Sequence, residues 1–307
     1  FISTSGYVYH MELDKYRPGY VIYNDRFAPM TSDGTTTHLI AGSSTETGYR
    51  EGTGADARFA GITGFAQISE KLVVVADVIN HCMRLIDRTS NTTSLFSGQC
   101  KSRGYQNGRP GQFRYPRSVV IDKRDKNQLF IIELAAVRTV DVMSRAVGTF
   151  VKSDSLKYIR GITQEEKSGD LYVTAYDAVY RITYTQRTVT RISGSRSTDG
   201  NRDSTLLDSL FITPFELIFI SPHTLLVAHL GNNKLRLLDM KSDKVTSLNV
   251  TNSPNDLRSL LLTNNSLYVG QLWKITQYKC EYNITTNGCD ENGSCPHPLN
   301  QGEATQN

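Results

Sequence analysis

A chain of 307 residues and 34.3 kDa is too long for one minimal core and too short for several ordinary domains. It fits one large repeat domain with a tail, or two medium domains. Hydrophobic residues at 38% and charged residues at 21% exclude a disordered chain and a coiled coil. A net charge of +4, spread along the chain, excludes a basic nucleic-acid stripe. The most apolar stretch, 211–230, is broken by Pro214, Glu216, Pro222, His223 and His229 and cannot cross a bilayer as a helix. The chain opens on Phe1 without Met, so a processed or excerpted protein is expected, with any leader or anchor outside this sequence.

Along the chain the same order of short strands recurs. The N-terminal segments GYVYHMEL, GYVIYND, RFAPMTS and TTTHLIAG read as a first unit of four strands. Then comes a glycine-spaced connection, Gly42, Gly48 and Gly52, closing on Phe59. The spacing returns at Gly98, Gly104, Gly108 and Phe113, and at Gly194, Gly200, Ser204 and Phe211. After each connection an apolar strand begins, as in ITGFAQIS, RSVVID and FELIFI, with RGITQ and RSLLLT completing the series. A second, denser strand follows: KLVVVAD, QLFIIE, DLYVTA, TLLVAH and SLYVGQ. A third carries a basic residue, at Arg84, Arg138, Arg181, Arg236 and Lys274. A fourth ends the unit, as in NTTSLFSG, AVGTFVK, TVTRISG and KVTSLN. Units of four short strands at such intervals predict an all-β fold, a six-bladed β-propeller over residues 1–279, in preference to a sandwich or barrel.

The segment VADVINHCMRLID, preceded by GYREGTGADARFAGITGFAQI, resembles an NHL repeat, with Asn80, His81 and Leu85 at its signature positions. The resemblance is strongest in the second and third units, and as a repeat it covers most of residues 5–279. NHL-type propellers serve as protein-binding platforms, as cytoplasmic RNA readers and, in a few cases, as enzymes, so the resemblance implies a fold and leaves function open.

Five cysteines and five N-x-[ST] sequons (Asn91, Asn249, Asn264, Asn283 and Asn292) point to an extracellular, secreted or cell-surface glycoprotein. Cys82 opens the third strand of its unit and Cys100 follows the fourth. Antiparallel neighbours bring these points together, so they are expected to form a disulfide. Cys280, Cys289 and Cys295 fall in a short Cys-rich extension, 280–307, whose spacing resembles the truncated start of an EGF-like module; the odd cysteine fits a polypeptide that continues.

In a propeller the connections between second and third strands share one face with those between units. That face carries the long segments 43–58, 99–112 and 195–210, where binding residues concentrate. Its candidates are Arg50, Arg103, Arg109, His81 and His229. Aligning the innermost strands adds Arg117, Arg160 and Arg258 at one position and small residues, Gly64, Ser118, Gly161 and Ser259, at the next. Three arginines around one channel mouth would suit a carboxylate, a sulfate or an acidic sugar; the plainer reading pairs each with a neighbouring acid or carbonyl.

Six histidines without close spacing offer no catalytic or metal set, and no cofactor is expected. The expected function is non-catalytic recognition or adhesion of a protein or glycan partner. The alternatives are a structural subunit of a fibre or matrix, built from copies of itself, and a metal-dependent propeller enzyme of amidating-lyase or lactonase type. Nucleic acid is not expected as a partner, and a membrane only through parts outside this chain.

Overall fold

In the computed structural model, residues 2–7, 10–11, 40–43, 45–248, 256–263 and 266–279 are described. Strand β1 is Ile2–Tyr7 and β2 is Gly52–Thr53. The first complete sheet holds β3 Ile62–Gln67, β4 Leu72–Asp77, β5 Cys82–Asp87 and β6 Thr92–Gly98. The second holds β7 Val119–Ile121, β8 Gln128–Glu133, β9 Ala136–Asp141 and β10 Val147–Lys152. The third holds β11 Ile159–Gln164, β12 Leu171–Ala175, β13 Ala178–Ile182 and β14 Val189–Gly194. In the fourth are β15 Pro214–Ser221, β16 Thr224–His229, β17 Lys234–Asp239 and β18 Lys244–Leu248. The last contains β19 Ser259–Leu262, β20 Ser266–Gly270 and β21 Leu272–Lys279.

Every sheet is antiparallel, β2 adds beyond β6 in the first, and the innermost strands β3, β7, β11, β15 and β19 contact one another in that order. The fold is a β-propeller. Among the described residues it has five sheets rather than the six expected. Most of the expected first unit lies outside the described residues. Its opening also needs correction: β1 is not an innermost strand but the outermost strand of the last sheet, with Ile2 opposite Ile275 on β21. The two ends of the repeat region therefore share one sheet. Cys280, Cys289, Cys295 and the sequons Asn249, Asn264, Asn283 and Asn292 lie outside the described residues.

The second strand of each sheet reads as an unbroken apolar run because both its faces are buried. On β4, Val73 and Val75 pack to one side and Val74 and Ala76 to the other, against the second sheet. On β8, Leu129 and Ile131 meet the first sheet while Phe130 and Ile132 meet the third. On β16, Leu225 and Val227 face the third sheet, and Leu226 and Ala228 face the last. Period-two alternation thus distributes one strand between two inter-sheet cores.

Within this apolar packing three arginines, Arg84, Arg138 and Arg236, are fully buried. Each is the third residue of the third strand in its sheet. Each grips the glycine-spaced connection that precedes that sheet. Arg138 donates to the carbonyls of Gly148 (3.0 Å), Gln112 (3.1 Å) and Gln106 (3.1 Å), to Asn107 Oδ1 (2.9 Å) and to Glu133 (2.8 Å). That uses all five guanidinium N–H groups. Arg84 donates to the carbonyls of Arg58 (3.3 Å) and Arg50 (3.1 Å) and to Asp77 (3.3 Å). Arg236 donates to the carbonyls of Leu210 (2.5 Å) and Arg202 (2.7 Å) and to Asp203 (2.7 Å). All three lie over the repeat phenylalanine: Arg84 is 5.2 Å from the Phe59 ring, Arg138 is 5.7 Å from Phe113, and Arg236 is 4.4 Å from Phe211.

The glycine spacing follows from this clasp. The second glycine donates its N–H to the carbonyl of the repeat phenylalanine in all three copies: Gly48 to Phe59 (2.9 Å), Gly104 to Phe113 (3.1 Å) and Gly200 to Phe211 (3.2 Å). The third position then reaches the fourth strand of the sheet: Gly52 pairs with Thr93, Gly108 with Val147, and the Ser204 carbonyl accepts from Val245 (2.8 Å). Segments 43–58, 99–112 and 195–210 are therefore arms packed along the sheets, rather than projecting loops.

Arg181 is not the counterpart of these arginines. It is the fourth residue of β13, is exposed and pairs with Asp170 (2.5 Å), while buried Tyr180 fills the third position. The short connection between β10 and β11 carries no glycine-spaced arm. With no row of carbonyls to satisfy, an aromatic ring fills the site.

The expected disulfide is formed: Cys82 and Cys100 are bonded, with Cα atoms 4.9 Å apart. It pins the exit of β6 to the first residue of β5. Closing a loop of this size constrains the unfolded chain by about 3 kcal/mol. A Cys82→Ala/Cys100→Ala variant should lose about that much in urea titration.

Replacing Arg138 by Met should cost about 3–5 kcal/mol by the same measurement, because it strands three carbonyls and a carboxylate. Arg138→Lys should not restore the loss, since an ammonium cannot span five acceptors in a plane. Arg181→Met should stay within about 1 kcal/mol of the parent, as an exposed pair contributes little.

Candidate recognition face

The face bearing the connections between second and third strands is built on a repeated backbone device. Each innermost strand is entered through a residue in the left-handed region: Gly61, Tyr115 (φ 55°), Tyr158 (φ 59°), Thr213 (φ 50°) and Asp256 (φ 65°). For all but glycine that conformation is costly. It is held by a hydrogen bond to the preceding sheet. Tyr115 N–H donates to His81 Nδ1 (3.2 Å), Tyr158 N–H to the Leu134 carbonyl (2.7 Å), Thr213 N–H to Asp177 (3.0 Å) and Asp256 N–H to Asn233 Oδ1 (2.7 Å). The strain is thus over-determined by the ring and sets the direction of the side chains at the mouth.

Just inside, neighbouring strands nearly touch. A Cβ on Gly64 would lie 2.6 Å from the Ser118 Cα, and one on Gly161 would lie 2.4 Å from the Phe215 carbonyl. Gly64 and Gly161, two of the small residues read from sequence, are therefore required where the inner strands meet. Glu216, beside Gly161, accepts from Leu260 N–H (2.6 Å) and meets His10 Nδ1 (2.7 Å), tying β15, β19 and the N-terminal segment together.

The three inner arginines are half-buried at this mouth. Arg160 and Arg258 approach the Phe215 ring, at 5.9 and 5.7 Å, and Arg258 is paired with Asp256 at 3.0 Å. Arg117 sits one strand further round, its carbonyl accepting from Thr63 Oγ1 (2.7 Å). Two of the three thus share one aromatic ring, and one already has a carboxylate.

The other candidates separate. Arg103 is exposed on the mouth side, 6.0 Å from the Tyr115 ring. Arg50 is exposed on its arm, donating to the Asp56 carbonyl (2.5 Å). Arg109 lies away from the mouth, in a cleft of the outer wall. His81 is buried, edge-on to Tyr115 with ring centroids 4.5 Å apart. Burial, then the Arg103 charge, lowers its pKa.

His229 is fully buried and is not a surface residue. Its Nε2 accepts from Ile212 N–H (2.6 Å) and lies 3.1 Å from Asn232. Asp77 does the same work in the first sheet, accepting from Ala60 N–H (2.9 Å) and Asn80 (2.8 Å). Burial, reinforced by Arg236 and Lys234, pushes the His229 pKa down to about 3. Glu133, at the same place in the second sheet, is pushed up to about 7 by burial, against the pull of Arg138.

Sequence reasoning missed the groups that most distinguish this face. Tyr158 is 52% exposed, Tyr176 is 49% exposed, and their rings lie 6.1 Å apart. Tyr176 is also left-handed (φ 52°). Ile79, 60% exposed, sits on the corresponding connection of the first sheet. The signal available was positional: an aromatic two residues before Arg117 and Arg160 in successive inner strands. Among the described residues, no group of three His, Cys, Asp or Glu is placed to hold a metal ion, and no helix is long and apolar enough to cross a membrane.

The sheets and the order of their inner strands define a β-propeller. No family model matches the chain, and no curated protein matches it. Its fold is similar to that of an auxiliary nutrient binding protein from Bacteroides ovatus, with a TM-score of 0.65 at 12% identity over 89% of this chain and 70% of that one. It is also similar to a chain of a nidogen–laminin complex, with a TM-score of 0.52 at 13% identity over 71% and 75%. A third likeness is to the extracellular domain of a hybrid two-component system from Bacteroides thetaiotaomicron. There the TM-score is 0.52 at 13% identity, over 87% of this chain and 33% of that one. At these identities the likeness shows the fold alone.

The His229 assignment fixes the sign of a pH effect. A histidine whose folded pKa lies below its unfolded value of about 6.5 stabilises the fold fully at neutral pH, and that stability is lost as pH falls toward 3. Between pH 7 and 5 the loss attributable to His229 should be about 2 kcal/mol. It is read as the difference in urea midpoints between the parent and His229→Gln, which keeps the acceptor without the titration.

Proposed function

We propose that this chain is a non-catalytic extracellular recognition module that binds a protein partner through the mouth-side face of the ring. The observation that carries this reading is the exposed Tyr158–Tyr176 pair on a backbone locked in the left-handed region, beside half-buried Arg160. Tyrosine and arginine dominate the energetics of protein interfaces, and a rigid anchor loses little entropy on binding. The likeness to an extracellular domain and the disulfide support the setting. In this reading the NHL-like repeats supply the platform, a glycan at Asn91 occupies the opposite face, and the tail cysteines begin an EGF-like module.

A fibre or matrix role, with copies of the chain as partners, is the second reading. Ile79 favours it, as a further exposed apolar group on the same face. Sedimentation velocity separates the two: a concentration-independent monomer removes the fibre.

Immobilised protein should retain a specific partner from extracellular fluid, and Tyr158→Ala/Tyr176→Ala should weaken that retention at least about thirtyfold, as expected when about 2 kcal/mol is lost at a hot spot. Its thermal midpoint should remain that of the parent. Equal retention by the variant would overturn the assignment of this face.

A further inference from the structure

A second surface, on the outer wall of the ring, is built differently from the mouth. Between the first and second sheets a cavity of about 400 Å³ is lined by Leu95–Gly98 of β6, by Arg109 and Pro110 of the arm, and by Met143 and Arg145 before β10. Its size is that of a site for a side chain cluster or small ligand. Two large apolar groups stand exposed on its rim, Met143 at 80% and Leu95 at 41%.

The charge in the cleft is unbalanced. The Arg145 guanidinium carbon lies over the Phe96 ring, 4.2 Å from its centroid, and its Nη1 donates to the Phe96 carbonyl at 3.4 Å. Burial, and then the like charge of Arg109, depress its pKa. Among the described residues neither guanidinium is ion-paired with a carboxylate. Of the acids near the cleft, Glu51 already accepts from Leu95 N–H (2.8 Å) and Tyr49, and Asp141, in the turn that carries Arg145, accepts from Ser144 and Asn127. The fully buried Arg84, Arg138 and Arg236 each meet an acid, as does half-buried Arg258. Two arginines lining one cleft beside apolar rims favour an incoming carboxylate that carries its own apolar neighbour.

We propose that this cleft binds an acidic peptide segment, with a carboxylate between Arg109 and Arg145 and a flanking aliphatic side chain against Leu95, Phe96 and Met143. It is independent of the mouth-side face, and a partner can engage both.

The test uses the whole chain and a capped, fluorescein-labelled peptide with two adjacent glutamates flanked by leucines. Anisotropy should show saturable binding that weakens at least tenfold with the glutamine version of the peptide. Arg109→Glu, at an exposed position, should weaken it at least tenfold without moving the thermal midpoint, and Met143→Ser by a few fold. Arg103→Glu, on the mouth side, should leave it unchanged. Sodium sulfate at matched ionic strength should not displace the peptide more than sodium chloride does. Absence of saturable binding, equal binding of the glutamine peptide, or indifference to Arg109→Glu would each overturn the proposal. Displacement by sulfate alone would also overturn it, by showing a site for free inorganic anions.

Discussion

The ring depends on one arrangement, a fully buried guanidinium that joins three strands' worth of apolar packing to a polar arm. A propeller sheet must bury both faces, and its connections carry backbone carbonyls into that packing. Unpaired, each would cost a substantial part of the stability that burial supplies. Arg84, Arg138 and Arg236 solve the problem from inside: each accepts the desolvation of its own charge because an acid and several carbonyls converge on it. The clasp explains features that look unrelated in one dimension, namely the glycine spacing, the recurring phenylalanine and the acid that closes the second strand or the arm.

Where the arm is missing, so is the arginine. The third sheet follows a short connection and places Tyr180 at that position, which makes the dependence reciprocal. A second layer of order follows from the arms ending at defined points. Each delivers the chain to the next inner strand through a left-handed residue, and Tyr115 and Thr213 are tied there to the sheet before them. Successive sheets are therefore coupled at the mouth by hydrogen bonds and along their faces by apolar packing. The left-handed backbone of Tyr158 at the mouth, tied to the Leu134 carbonyl, is a product of that coupling.

Much of the architecture was legible in the residues because it depends on period and spacing. The dense second strands, the small residues at the inner-strand contacts and the Cys82–Cys100 bond all follow from local pattern plus the antiparallel register. What the sequence concealed was direction. His229 reads as a polar residue at a connection, yet its ring points inward because it replaces Asp77 as acceptor for the arm. Arg181 shares the spacing of the buried arginines, yet lies one residue out of phase, and on a strand that phase decides between core and solvent. The long segments looked like free loops because glycine spacing marks turns; only the carbonyls they present to the arginines show that they are packed. The outermost strand of the last sheet, supplied from the N-terminal end by Ile2–Tyr7, is a pairing of distant segments that no local pattern encodes.

The central claim is that the glycine-spaced arms are structural parts of the sheets, held by the buried arginines. Native-state hydrogen exchange at single-amide resolution tests it directly. The amides of Gly48, Gly104 and Gly200, bonded to the repeat phenylalanine carbonyls, should be protected to nearly the same degree as those of β4, β8 and β16. In Arg138→Met, Gly104 should lose protection first while Gly48 and Gly200 keep theirs. Arm amides that exchange like surface loops in the parent protein, or that respond equally in all three arms to the one substitution, would contradict the account.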